Sequence, residues 1–195
     1  MIRLEFDEGK HKYYLDGTEL PSVSAIIRPL SQSVYDTVDD SILAIAANRG
    51  TEIHKAIENF NIFGVGVIDP EYEGYFNAYK KWEAKRKPAV KLVEERTYNK
   101  MLMYAGTVDL LCEIDGRTCL VDYKSSYTVQ DKVYRCQLEV YRQALSTHGI
   151  EIDRKIVLHL KKTEEYEEIV YPTYDAEAWK VFGACKLVYD YMSKK

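Results

Sequence analysis

A chain of 195 residues, 46% hydrophobic and 30% charged, can bury one sizeable core, is too short for two ordinary domains and is not a disordered polymer. Its 27 Lys and Arg against 31 Asp and Glu leave a net charge of −4, which argues against holding nucleic acid by bulk charge alone. Local basic patches around an acidic metal site stay compatible with that balance. The start is charged and has no apolar stretch, and the longest purely apolar run, residues 42–47, is far short of the ~20 residues of a membrane helix. A soluble, cytoplasmic protein with no membrane partner is expected.

Residues 12–15 and 18–20 read as a hairpin turning at Asp16-Gly17. Residues 39–47 and 52–60 read as helical, separated or bent near Gly50-Thr51. Asp69-Pro70 forms a cap and first turn for a helix reaching about Lys87, with a stripe of Tyr72, Tyr75/Phe76, Tyr79 and Trp82 and a stop at Pro88. Strands are predicted over 91–98, 106–114 and 117–124. A helix over 131–146 puts Tyr134, Leu138, Tyr141 and Leu145 on one apolar face. Residues 156–160 and 168–171 read as further strands, and 176–192 as a closing helix. No repeat or linker interrupts the chain. One domain of the α/β (α+β) class is therefore expected, a central mixed sheet flanked by helices. Residues 1–48 form its N-terminal hairpin and helix, 49–145 its motif-bearing core, and 146–195 its closing strands and helix.

Of 17 Tyr, amphipathic filling of half-buried surface is favoured over base stacking for any single one. Cys112, Cys119, Cys136 and Cys185 contain no CxxC pair, so reduced structural thiols are expected rather than a zinc ribbon or a cysteine-held cluster.

The chemistry concentrates in residues 106–124. Asp115-Gly116 between two apolar runs is the strongest short-range sign of a two-residue turn. With that turn, Ile114 faces Arg117, Cys112 faces Cys119 and Asp109 faces Asp122, and the two acidic Cβ atoms lie ~4.5–5.5 Å apart. Lys124 projects from the same face as Asp122. Opposed carboxylates among Val108, Leu110, Leu111, Leu120 and Val121 are destabilising unless something neutralises them. A divalent cation does so directly, and hard oxygen donors suit Mg²⁺ or Mn²⁺. A solvated hairpin with its acids in water is the weaker reading, because both strands read as buried on both faces.

Gly106-Thr-Val-Asp109 followed by Asp122-Tyr123-Lys124 resembles the PD-(D/E)XK nuclease signature in its RecB-like form. Arg49-Gly-Thr-Glu-Ile-His54 resembles the helical motif that supplies a histidine, and Gln137-Leu-Glu-Val-Tyr141 resembles the QxxxY motif of that group. An Asp-x-Lys arises often by chance; these motifs in the expected order do not. The stretch from Phe6 to Ile26, with His11, Tyr13-Tyr14, Asp16-Gly17 and Pro21-Ser22, is similar to the opening of stand-alone phage and prophage exonucleases. Relatives with an iron–sulfur cluster hold it through a C-terminal cysteine group. With only Cys185 beyond residue 136, no cluster is expected.

The resemblance implies a restriction-endonuclease-like core and a Mg²⁺- or Mn²⁺-dependent nuclease. It gives catalytic roles to Asp109, Asp122 and Lys124, and metal ligation to His54, Asp109, Asp122 and the Tyr123 carbonyl. Lys124 would orient or deprotonate the attacking water and stabilise charge on the scissile phosphate. Gln137 and Tyr141, one helical turn apart, would contact DNA. Glu58, one turn beyond His54, is read either as an acceptor for that histidine or as a plain surface residue. Arg135, Arg142, Lys80-Lys81 and Lys85-Arg86-Lys87 are candidates for phosphate contacts, each singly an ordinary solvated charge.

The function implied is an exodeoxyribonuclease of phage or prophage recombination or repair, acting on linear duplex or single-stranded DNA. A recombinase or single-strand-binding protein is its candidate partner, and a homo-oligomer its candidate state. Two other readings stay open: a structure-specific endonuclease, and a catalytically silent nuclease-fold module that binds DNA or protein. The intact His, Asp, Asp and Lys argue against the silent module.

Overall fold

A computed structural model describes residues 3–35 and 38–194. The chain opens with a small antiparallel sheet of β1 (Leu4–Asp7), β2 (Lys12–Leu15) and β3 (Thr18–Leu20). Asp16 and Gly17 turn β2 into β3 with φ of 49° and 81°, the positive pair that a two-residue hairpin turn of this hand requires. β1, which the charged opening did not reveal, pairs Phe6 with Tyr13 and Leu4 with Leu15. Two further elements were also absent from the predicted order: α1 (Val23–Ile26), capped by Ser22, and α2 (Arg28–Tyr35). Both are too short to leave an apolar period.

α3 (Asp40–Phe63) is one helix of 24 residues, not two. An interior glycine costs a helix about 1 kcal/mol relative to alanine. Burial of Ile53, Ala56 and Ile57 outweighs that at Gly50, and Thr51 Oγ1 donates to the Ala47 carbonyl at 3.1 Å. Asp69 caps a 3₁₀ turn, Pro70–Tyr72, before α4 (Glu73–Arg86) begins. Phe76, Tyr79 and Trp82 are buried from α4, while Tyr72 and Tyr75 reach only its margin.

The main sheet has the order β4 (Ala89–Asn99), β5 (Tyr104–Ile114), β6 (Arg117–Lys124), β7 (Arg154–Leu160) and β8 (Tyr166–Tyr171). Only β6 and β7 run parallel, joined by the crossover helix α5 (Asp131–Ser146). The closing helix α6 (Ala176–Ser193) packs beside α5. One sheet face is covered by α1, α5 and α6 and the other by α3 and α4, so β5 and β6 are buried on both sides. Tyr134, Leu138, Tyr141 and Leu145 are all buried, as their spacing requires.

The β5–β6 turn places Asp115 and Gly116 at φ of 53° and 70°, and Ile114, Cys112 and Leu110 pair with Arg117, Cys119 and Val121. The facing cysteines are free and buried, and burial pushes the Cys112 thiol up to about 12. Among the described residues no helix is long and apolar enough to cross a membrane.

Candidate metal centre

Pairing of β5 with β6 stops at Leu110 and Val121, one step before the two aspartates. The cause lies on β4. Glu94 holds φ of 47°, a left-handed conformation that costs a non-glycine residue energy, and the Glu94–Asp109 step is missing from the β4–β5 ladder. Side-chain alternation slips there. Val108 and Leu111 join the core under α5, whereas Leu110 and Cys112 join the core under α4. Asp109 thereby turns its carboxylate to accept the Tyr123 N–H at 2.7 Å. Asp122 lies buried on β6, with Oδ2 2.7 Å from Lys124 Nζ.

α3 brings the histidine from the other side. His54 Nε2 is 3.2 Å from the Tyr123 carbonyl, and Nδ1 is 3.2 Å from Glu94 Oε1 and 3.7 Å from Asp109 Oδ1. Ligand atoms of His54, Glu94 and Asp109 lie within 4.8 Å of one another. Glu94 was not foreseen. Simple alternation sends Glu94 and Glu95 to opposite faces without saying which turns inward, and the left-handed backbone decides it. Glu58, the acceptor considered for His54, instead binds Lys55 at 2.7 Å.

Electrostatics mark the same atoms. Burial opposes the His54 imidazolium, yet Asp109 and then Glu94 outweigh it and raise His54 to about 9. Burial lifts Asp122 to about 6 against the pull of Lys124, and lifts Asp109 against the pull of His54. Lys124 rises despite its burial, because Asp122 and Asp109 favour the ammonium. Lys124 Nζ at 2.7 Å is the charge partner of Asp122 Oδ2, while the buried Oδ1 has no hydrogen-bond donor among the described residues. Carboxylates of Glu94 and Asp109 with the His54 imidazole, and the Tyr123 carbonyl beside that ring, form a donor set suited to an ion of the Mg²⁺ or Mn²⁺ class. Asp122 lies outside this three-residue cluster.

A metal ion bound through His54 would have to displace its proton. Mn²⁺ affinity is therefore expected to rise by up to about tenfold per pH unit from near neutrality to about pH 9, then level off. Calorimetric titration across that range checks it, and a flat profile contradicts ligation by His54. Without metal the sign reverses: the contribution of His54 to stability is complete below its ordinary pKa of 6.5 and is lost as pH rises through about 9.

A groove of about 660 Å³ opens over the centre, lined among others by His54, Glu94, Gly106, Thr107, Gln137 and Tyr141. Gln137 Nε2 donates to the Tyr141 hydroxyl at 3.4 Å. A Cβ at Gly106 would sit 2.5 Å from Tyr141 Cε1, so the glycine ahead of Asp109 exists to admit that ring. Gly106→Ala is expected to cost about 1–3 kcal/mol through overpacking, read as a lowered Tm.

Several of the candidate phosphate cations are committed elsewhere. Arg142 binds the buried Glu139 at 2.9 Å, with Lys155 on the other carboxylate oxygen, and Arg135 binds Asp175 at 2.7 Å. These pairs fasten α5 to β7 and α6. Lys81 binds Glu164 at 2.8 Å, and Arg86 lies 3.3 Å from Glu168.

No curated protein matches the chain. Among solved structures it is similar to the crystal structure of SSO0001, at 11% identity and a TM-score of 0.39, over 59% of this chain and 56% of that one. The chain thus spans little more than half the length of that protein. The family model of the PD-(D/E)XK nuclease superfamily matches residues 63–183, more than half of the chain. The matched stretch holds the whole main sheet with Glu94, Asp109, Asp122, Lys124, Gln137 and Tyr141, while His54 and the N-terminal sheet precede it. The five-stranded mixed sheet between helical layers is the fold expected of such enzymes, and on this match the chain belongs to the PD-(D/E)XK nuclease superfamily, a group of divalent-metal nucleases.

Proposed function

We propose that the protein is an exodeoxyribonuclease that hydrolyses linear DNA with Mg²⁺ or Mn²⁺, in phage-type recombination or repair. The observation that carries the hydrolytic reading is the convergence of ligand atoms of His54, Glu94 and Asp109 next to the buried Asp122–Lys124 pair. His54, Asp109, Asp122 and the Tyr123 carbonyl would hold the ion, and Glu94, which shares the Nδ1 side of His54 with Asp109, would be a further ligand. When bound, a divalent ion polarises a phosphoryl oxygen and lowers the pKa of a bound water.

This chain's own residues do the rest. Lys124 is held as an ammonium by two carboxylates, which favours charge stabilisation at the phosphate and orientation of the attacking water over proton abstraction. The Tyr123 N–H fixes one Asp109 oxygen, which leaves the other to face His54. Gln137 faces the groove from α5 and would engage the strand. Gln137→Ala is expected to raise KM roughly 5- to 10-fold, the scale of one lost hydrogen bond, with Mn²⁺ affinity unchanged. An unchanged KM would return Gln137 to ordinary surface.

The exonuclease assignment rests on the likeness of residues 6–26 to stand-alone phage enzymes. Incubating the protein with linear and covalently closed circular DNA in Mg²⁺ tests it. Loss of linear DNA alone, abolished by EDTA, is the expected result. Nicking of circles would mean an endonuclease, and binding without cleavage a silent module.

A further inference from the structure

The N-terminal sheet precedes the stretch matched by the family model, yet it forms part of the groove over the candidate metal centre. It is firmly attached. The Tyr13 hydroxyl meets Thr107 Oγ1 at 2.9 Å, the Ala105 N–H donates to the Pro21 carbonyl at 3.0 Å, and Tyr13, Leu15 and Leu20 bury against Ala105. Phe6, Glu8, His11 and Tyr13 thus become lining of the groove that Gln137 and Tyr141 also line.

The lining is a cluster of flat rings. Phe6 lies 4.7 Å from Tyr13, His11 stands edge-on to Phe6 at 5.1 Å, and the Arg96 guanidinium lies over Phe6 at 5.0 Å. His11 is exposed on a turn with φ of 52°, and the exposed Arg96 has Glu8 at 3.6 Å as its ion-pair partner. The exposed His11 ring and the half-buried Phe6 beside a cation, continuous with a centre for phosphodiester chemistry, suit an unpaired nucleobase stacked next to its own backbone. In a duplex the bases are already stacked on one another and present no free face. A net charge of −4 also leaves little bulk attraction for phosphate, so stacking has to supply affinity.

We propose that the wall formed by Phe6, His11 and Arg96 binds unpaired bases of single-stranded DNA and makes a single-stranded end the preferred substrate. The proposal rests on the nuclease reading above. The test is fluorescence anisotropy in Ca²⁺ with a labelled oligo-dT of about twelve nucleotides, within the range of known single-strand sites. A blunt duplex of the same length is the comparison. The variants are His11→Asn, which tolerates the left-handed turn, Arg96→Gln, and Phe6→Leu, which keeps apolar volume but removes the ring.

Wild type is expected to prefer the single strand, and each variant to lose about tenfold in single-strand affinity, with Tm and Mn²⁺ affinity close to wild type. Wild-type binding of the single strand that all three variants retain would overturn this proposal and leave the nuclease reading standing. Equal losses on single strand and duplex would also overturn it, since they report phosphate contact alone. Wild type that binds neither DNA would overturn the nuclease reading itself.

Discussion

Lys124→Ala is expected to lower kcat about a thousandfold while Mn²⁺ still binds, because one preorganised charge at the reacting phosphate is worth about that much. The ammonium is 2.7 Å from Asp122 and contributes no ligand atom of its own. Its removal takes a competing cation away from Asp122, so Mn²⁺ affinity should be unchanged or tighter. Without metal the variant should melt lower, since a buried Asp122 then lacks the opposite charge that offsets its desolvation. Single-turnover kinetics with saturating Mn²⁺, beside calorimetry, separates the effects. Mn²⁺ affinity that collapses with the rate would make Lys124 a structural residue.

The two aspartates should respond in the same direction, but unequally, when neutralised without metal. Burial raises Asp122 to about 6, so above that pH its charge opposes folding. The sign follows from linkage: the stabilising influence of a raised pKa is complete below the unfolded value of 3.8 and is lost as pH rises through about 6. Asp122→Asn mimics the protonated acid. In EDTA at neutral pH it should be at least as stable as wild type, by on the order of 1–2 kcal/mol, with the gap closing toward pH 4.

Asp109 differs because it faces His54 at 3.7 Å and accepts the Tyr123 N–H. Asp109→Asn relieves a buried charge too and keeps an acceptor for that N–H, but it strips a protonated His54 of a counter-charge, so in EDTA it should gain less over wild type than Asp122→Asn. Both variants should be inactive, and Mn²⁺ should restore the order by stabilising wild type through mass action. Thermal melts with EDTA and with Mn²⁺ at several pH values are the check. Asp122→Asn melting clearly below wild type in EDTA would show its carboxylate held by bonds that this reading lacks.

Local rules suffice for a large part of this molecule. Asp16-Gly17 and Asp115-Gly116 specify their turns because positive φ at two successive residues is accessible to few residue types. The Asp115-Gly116 turn in turn sets the β5–β6 register, so Cys112 meets Cys119 as their numbers require. The period of α5 buries Tyr134, Leu138, Tyr141 and Leu145, because a helix facing a sheet has one apolar stripe to satisfy. His54, Asp109, Asp122 and Lys124 were legible as motif residues.

Other features depend on partners distant in the chain. α3 runs unbroken through Gly50 because burial of its second half outweighs one poor helix former. Arg135, which looks like a free cation in the sequence, is bound by Asp175 only once the start of α6 packs against α5. Local spacing put Asp109 directly opposite Asp122 and left Glu94 unremarked. The approach of β4, with its left-handed backbone at Glu94, ends the ladder there and turns Glu94 and Asp109 toward His54 on α3. Periodicity and turn chemistry are properties of neighbours in the chain. Where alternation breaks, and which charge then meets which, is decided by three strands and a helix meeting at one place.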